Sequence, residues 1–169
     1  MDVAGARECG QGAWLSIFPK TMSAPVFAFH RIVPEAKLPF RADPTATGWD
    51  VSSAEARMLE PGDTALIRTG LVVECPAGWG LQVRSRSGLA AKHSVHTLNS
   101  PGTIDNGYRG EICVILHNSG RKPFPVAVGD RVAQLIPEVV HDMQVVESDG
   151  HPGTDTARGA GGFGSTGRS

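Results

Sequence analysis

Four short segments carry polar residues where a strand-rich chain would otherwise place turns or core. In Gly48-Trp49-Asp50-Val51 an acid directly follows a large aromatic at the start of a strand. Asp50 reads there either as a turn or capping carboxylate or as an acid aimed at a ligand. Arg84-Ser85-Arg86-Ser87-Gly88 gathers guanidinia, hydroxyls and a glycine ahead of a short helix. Such a donor set suits an anion; the plainer alternative is a solvated charged turn. NSPGTIDNGYRGE, Asn99 to Glu111, holds Asn, Asp, Tyr and Arg more densely than a turn requires. Its Pro101-Gly102 and Asn106-Gly107 pairs are turn signals, so a tight β-hairpin is predicted, with Asp105 and Tyr108 within one turn of each other. In Gly129-Asp130-Arg131-Val132-Ala133-Gln134-Leu135, Gln134 interrupts an apolar strand. A buried glutamine must find partners, and a ligand phosphate is one candidate among several.

A fifth segment closes the chain: RGAGGFGSTGRS, Arg158 to Ser169, has nothing aliphatic to enter a core. It cannot fold alone. It reads either as a flexible glycine tail or as a wrap for a polyanion, with glycines admitting phosphate oxygens to backbone N–H groups, Arg158 a bidentate cation and Phe163 a stacking face for a base. A Walker loop is excluded, because no Gly-Lys-Ser/Thr follows the glycines. His93 and His96 stand near a short helix end without a third ligand, which makes a poor metal site. No Gly-x-Ser-x-Gly elbow is present.

These groups must be positioned by β-structure. Helical periodicity is almost absent, while short β-branched runs recur between glycine and proline punctuation. Strands are predicted over Val26 to Ile32, Asp63 to Arg68, Leu71 to Glu74, Leu81 to Arg84, Val95 to Leu98, Glu111 to Asn118, Phe124 to Val128 and Arg131 to Val140, with one helix from Gly88 to His93. About eight strands is the count of a jelly roll, so the fold is read as an all-β sandwich or barrel of that kind. In Glu111 to Asn118 both faces are apolar: Ile112, Val114 and Leu116 on one, Cys113 and Ile115 on the other. Either that strand is central to the sandwich or another subunit closes its outer face, and the small size of the chain favours the second.

The 169 residues bound the chain to one domain with a modest core. A formal net charge of −1 and no basic run leave no field for tracking nucleic acid. Cys9, Cys75 and Cys113 are odd in number and far apart, which fits free thiols in a reducing cytoplasm. No membrane-spanning run occurs. Residues 1–22 read as a poorly ordered extension, or as an upstream extension ahead of a start at Met22; 23–146 read as the packed domain and 147–169 as a C-terminal arm.

Taken in order, GWDV, RSRSGLA, NSPGTIDNGYRGE, GDRVAQL and RGAGGFGSTG resemble the five motifs of the trimeric deoxyuridine triphosphatases (dUTP pyrophosphatases, dUTPases). The resemblance spans about Gly48 to Gly167. It implies a jelly-roll homotrimer whose active sites are each built from three chains, the mobile arm closing over a neighbour's site. It also implies Mg²⁺-assisted hydrolysis of dUTP to dUMP and pyrophosphate, which limits uracil in DNA and supplies dUMP for thymidylate synthesis. Carried onto this chain, Asp105 activates the water that attacks the α-phosphorus, and Asp50 holds Mg²⁺ through a coordinated water. Arg86, Ser87, Gly88 and Gln134 bind the phosphates; Arg158, Gly164, Ser165 and Thr166 close on them from the arm. Asn99, Thr103 and Ile104 with the hairpin backbone read the uracil, Tyr108 lies against the deoxyribose and Phe163 stacks on the base.

The chain departs from the usual motifs at Ser85, where proline is common, at Trp49 and at Ala160, with no loss of a named catalytic group. The related dCTP deaminases share the fold, but their catalytic glutamate aligns with Ile115, which cannot shuttle a proton. A non-catalytic regulatory relative is the other alternative; loss of Asp105 or an inserted domain would mark it, and neither is seen.

Overall fold

The computed structural model describes residues 24–150 and 156–162. The predicted leader and the arm residues Phe163, Gly164, Ser165 and Thr166 lie outside the described residues. The described chain is all-β with one short helix: β1 (Ala28–Arg31), β2 (Trp49–Ser52), β3 (Arg57–Leu59), β4 (Thr64–Arg68), β5 (Leu71–Glu74), β6 (Trp79–Arg84), α1 (Ser87–His93), β7 (Val95–Thr97), β8 (Gly102–Ile104), β9 (Cys113–Asn118), β10 (Phe124–Val126) and β11 (Arg131–Val139). Each predicted run coincides with one of these strands, though β6 begins at Trp79, two residues ahead of the run predicted from Leu81. The three additional ones, β2, β3 and β8, are three or four residues long, too short for period-2 alternation to show.

The strands form a four-stranded sheet β2-β11-β6-β8, a three-stranded sheet β4-β9-β7, and the pairs β1-β5 and β10-β3. Alternation along each strand sends one set of side chains inward; in β4, Ala65 and Ile67 are buried while Thr64, Leu66 and Arg68 face out. Inward residues of all four sheets join a single apolar cluster that includes Val51, Leu59, Ile67, Val73, Val83, Val114 and Leu135. This jelly-roll sandwich carries its polar groups where strands leave the sheets.

β9 separates the two readings of its apolar faces. Val114 and Leu116 are fully buried, whereas Cys113, Ile115 and His117 on the opposite face stay half-exposed in the single chain, beside an exposed Leu66. The strand is therefore not covered on both faces within one subunit.

The predicted hairpin over Asn99 to Glu111 does not form as such. β8 pairs with β6, and β9 pairs with β4 and β7, so the two arms of the segment enter different sheets. The turn chemistry is nonetheless present, since the Tyr108 N–H donates to the Asp105 carbonyl at 3.0 Å. β8 finds the free edge of β6, and Ile112 donates to the Leu71 carbonyl at 2.7 Å, drawing the outgoing arm away. The helix begins one residue earlier than predicted and ends at His93 as predicted, capped by Ser94 in the left-handed region at φ 58°.

Candidate active site

The four-stranded sheet sets the first group of residues in one row. Gln134 on β11 is the cross-strand partner of Asp50 on β2 and of Arg84 on β6, so the three side chains share a face. Gly129, at φ +89°, and Asp130, whose carboxylate accepts the Ala127 N–H at 2.8 Å, form the turn that launches β11. A register shift between Arg131 and Ala133 follows.

Asp50 is the hub of this group. Arg86 Nε donates to its Oδ1 at 2.9 Å and Arg131 Nη1 to its Oδ2 at 2.9 Å, while Arg86 Nη1 also donates to the Arg131 carbonyl at 3.0 Å. The Asp50 side chain is only 15% exposed. Two guanidinia against one carboxylate leave a local positive excess, and the remaining N–H donors suit an anion. Gln134 Nε2 donates to the Ser85 carbonyl at 2.9 Å, leaving its second N–H to offer. Gly48 makes room for this amide: a Cβ there would lie 2.1 Å from Gln134 Oε1.

Arg86 caps α1, and its carbonyl accepts the N–H groups of Leu89 and Ala90, both at 3.1 Å. Ser87 and Gly88, both exposed, open the helix beside the guanidinium cluster.

The second group lies along Asn99 to Glu111. Asn99 packs on Gly102, where a Cβ would approach its Nδ2 to 2.9 Å. Thr103 is exposed on β8, whereas the Ile104 side chain is buried in the core and leaves only its backbone for a ligand. Asp105 is exposed just past β8. The Tyr108 hydroxyl donates to the Glu111 carbonyl at 3.0 Å, and its ring lies so close to Gly110 that a Cβ there would meet the hydroxyl oxygen at 2.4 Å. Asn106 anchors the turn by presenting Nδ2 to the carbonyls of Cys75, Pro76 and Trp79 at 3.1, 2.7 and 3.0 Å. Among the described residues, no hydrogen bond joins the Asp105 or Tyr108 side chain to the Asp50 cluster. Arg158 is exposed and donates to the Gly161 carbonyl at 3.1 Å.

Sequence reasoning missed Arg131, Ser85 and Asn106 as structural members of the site. All three lie inside quoted motifs, Asn106 as part of a turn signal and Ser85 as a departure from the usual residue, but nothing local in the sequence names the distant partners that give them these parts.

Other chemistries find no footing here. Burial pushes the Cys75 thiol up, with Arg109 opposing, and burial followed by Glu111 pushes Cys113 up, so neither is an activated nucleophile. The His93 ring lies tilted against Phe124 at 5.0 Å, and His96 meets His117 edge-on at 5.5 Å. Among the described residues no cluster of three or more His, Cys, Asp or Glu exists to hold a metal. Asp50, a lone carboxylate with each oxygen already bonded to an arginine, fits Mg²⁺ carried by substrate phosphates and water rather than by a protein cage.

Fold and site define an all-β jelly-roll protein with an arginine-lined polar cluster at one end of its largest sheet. The dUTPase family model matches residues 34–167, and the chain belongs to that family. It is 49% identical over 140 residues to the deoxyuridine 5'-triphosphate nucleotidohydrolase of Solibacter usitatus, covering 82% of this chain and 93% of that one. The corresponding protein of Helicobacter pylori strain ATCC 700392 / 26695 is 44% identical over 137 residues, with 81% and 93% covered. In structure the chain is similar to a mutant dUTPase of Staphylococcus bacteriophage 80alpha with dUpNHpp, at a TM-score of 0.75 and 24% identity over 85% of this chain and 99% of that one. A mutant dUTPase of phage phi11 of S. aureus, described as revealing the coordination of a structural Mg(II) ion, superposes with a TM-score of 0.68 at 22% identity, covering 76% and 99%. These last two likenesses are of fold.

Proposed function

We propose that the protein hydrolyses dUTP to dUMP and pyrophosphate. The reading rests on the Asp50, Arg86, Arg131 and Gln134 cluster, set in a chain 44–49% identical to deoxyuridine 5'-triphosphate nucleotidohydrolases over 90–93% of their length. A water oxygen attacks the α-phosphorus, the bond from that phosphorus to the pyrophosphate oxygen breaks, and Asp105 takes the water's proton. Arg86, Ser87, Gly88 and Gln134 hold the phosphate chain, and Asp50 orients the two arginines. Preorganised cations of this kind stabilise the charge that spreads in phosphoryl transfer. Mg²⁺, bound through the phosphates and water with Asp50 in its outer shell, would supply charge neutralisation.

The backbone around Thr103 and Ile104, with Asn99, selects uracil. Cytosine reverses the donor and acceptor at C4 and N3, leaving unpaired polar groups that allow rejection by about 10⁴- to 10⁵-fold. Thymine's methyl group meets rigid backbone. Tyr108 lies against the deoxyribose and leaves no room for a 2′-hydroxyl.

The active assembly is a homotrimer in which each site takes motifs one, two and four from one chain, the Asn99 to Glu111 segment from a second and the arm from a third. The half-exposed apolar face of β9 supports a covering subunit. Residues 147–169 act as the arm, with Arg158, Gly164, Ser165 and Thr166 on the phosphates and Phe163 on the base. Reduced thiols and the absence, among the described residues, of a helix long and apolar enough to cross a membrane are compatible with work in the cytoplasm.

Pyrophosphate release from dUTP, dCTP, dTTP and UTP, measured in parallel with Mg²⁺ and with chelator, tests the reading. Release from dUTP alone, suppressed by chelator, is expected. Ammonia from dCTP would indicate a deaminase instead, and dUTP binding without release a regulatory nucleotide binder.

A further inference from the structure

β6 leaves the four-stranded sheet at an unusual junction. Its ladder to β8 ends at Val83 opposite Gly102, and its ladder to β11 ends at Arg84 opposite Gln134. Ser85 is the next residue, and Arg86 follows it into the guanidinium cluster. At Ser85 the two ladders are replaced by three other bonds. Its carbonyl accepts from Gln134 Nε2 at 2.9 Å, on the β11 side. Its N–H donates to Ser100 Oγ at 3.2 Å, in the loop before β8. Its Oγ accepts the Thr97 N–H at 3.0 Å, on β7 of the other sheet. A half-buried serine thus uses its donor, its carbonyl and its hydroxyl on three separate segments.

We propose that Ser85 is a positioning residue for triphosphate binding, holding the turn that carries Arg86, Ser87 and Gly88 in register with Gln134. The inference rests on the proposed dUTP hydrolysis. Ser85 touches no substrate; it sets where Arg86 begins and how the Gln134 amide is aimed. Gly48, which leaves Gln134 Oε1 its space, and the Ser85 carbonyl together hold that amide in one orientation. Proline at this position would supply neither the N–H nor the hydroxyl.

The test compares wild type with Ser85→Ala, Ser85→Pro, Ser100→Ala and Ser85→Thr. Steady-state kinetics with dUTP and calorimetric binding of dUpNHpp and dUMP are measured alongside melting temperature. Ser85→Ala and Ser100→Ala are each expected to raise the KM for dUTP and the Kd for dUpNHpp by about two- to tenfold, and Ser85→Pro by more. Affinity for dUMP, which lacks the β- and γ-phosphates, stays within about twofold, and Ser85→Thr restores the wild-type KM because it keeps the hydroxyl. Unchanged dUpNHpp affinity in Ser85→Ala and Ser85→Pro overturns the proposal, as does an equal loss for both nucleotides with a lowered melting temperature. If wild type itself releases no pyrophosphate from dUTP, the activity reading fails, and the contrast between dUpNHpp and dUMP binding still decides the role of Ser85.

Discussion

Asp105 and Asp50 are both acids in motif segments, and the structure gives them opposite surroundings. Asp50 is held by two arginines and nearly enclosed, so its negative charge is committed to orienting cations; Asp105 is exposed and has no arginine bonded to it among the described residues. Asp105→Asn should therefore fold and bind dUTP while turnover falls about 10²- to 10⁴-fold, read by pyrophosphate release; normal turnover would remove its role as base. Gly48→Ala would place a methyl 2.1 Å from Gln134 Oε1 and force that amide aside. The expected result is a rise in KM for dUTP with a stability loss of about 1–3 kcal/mol, visible in a denaturant titration. The identities of Asp50, Arg86, Asp105 and Gln134 were legible as chemistry in the sequence because polar residues are conspicuous among apolar runs. Arg131 and Asn106 were not, because their partners stand 81 and about 30 positions away and no local pattern announces them.

At the scale of elements, the long alternating strands were readable and the short ones were not. β4 and β9 carry their burial in their residue order, while β3 pairs with β10 through only three positions, one of them Pro125. Such edge pieces are held by what surrounds them. Asn118, fully buried at the end of β9, shows how: its Nδ2 donates to the carbonyls of Leu59 and Lys122, both at 2.9 Å, and its Oδ1 accepts from Gly120 at 2.9 Å. Asn118→Ala should lower stability by about 1–3 kcal/mol, since buried carbonyls lose their donor, and a thermal melt should register it without change in KM. The segment from Asn99 to Glu111 shows the limit of turn signals. Pro101-Gly102 and Asn106-Gly107 do mark turns, yet turn chemistry says nothing about which strand each arm will join, and the exposed edge of β6 decided that.

For the whole molecule, a chain cut after Gly150 should keep its assembly state in sedimentation and lose most dUTP turnover, because the arm's donors go while the sandwich remains. Full activity of the truncated protein would end the arm's part in the site. If this face is the interface of the proposed trimer, Leu66→Asp, opposite Ile115 on the half-exposed face of the β4-β9-β7 sheet, is expected to shift sedimentation toward monomer, since a carboxylate would then be buried unpaired. The raised Cys75 and Cys113 thiols favour their protonated form in the folded state, so they contribute stability below the ordinary thiol value of 9.0 that is lost as pH rises past it. Denaturation midpoints should accordingly fall as pH rises past 9.0, and fall less in a Cys75→Ala, Cys113→Ala double variant. By itself the sequence determined the strand-rich class, the order of its polar motifs and the chemistry their side chains permit. Those follow from composition and from a two-residue period, both local. Tertiary structure alone decided that Asp50 is shared by Arg86 and Arg131, that β8 joins β6, and that Ser85 meets β7, β11 and the loop before β8. Each of those depends on which distant strand lies alongside, a choice made by packing one common core.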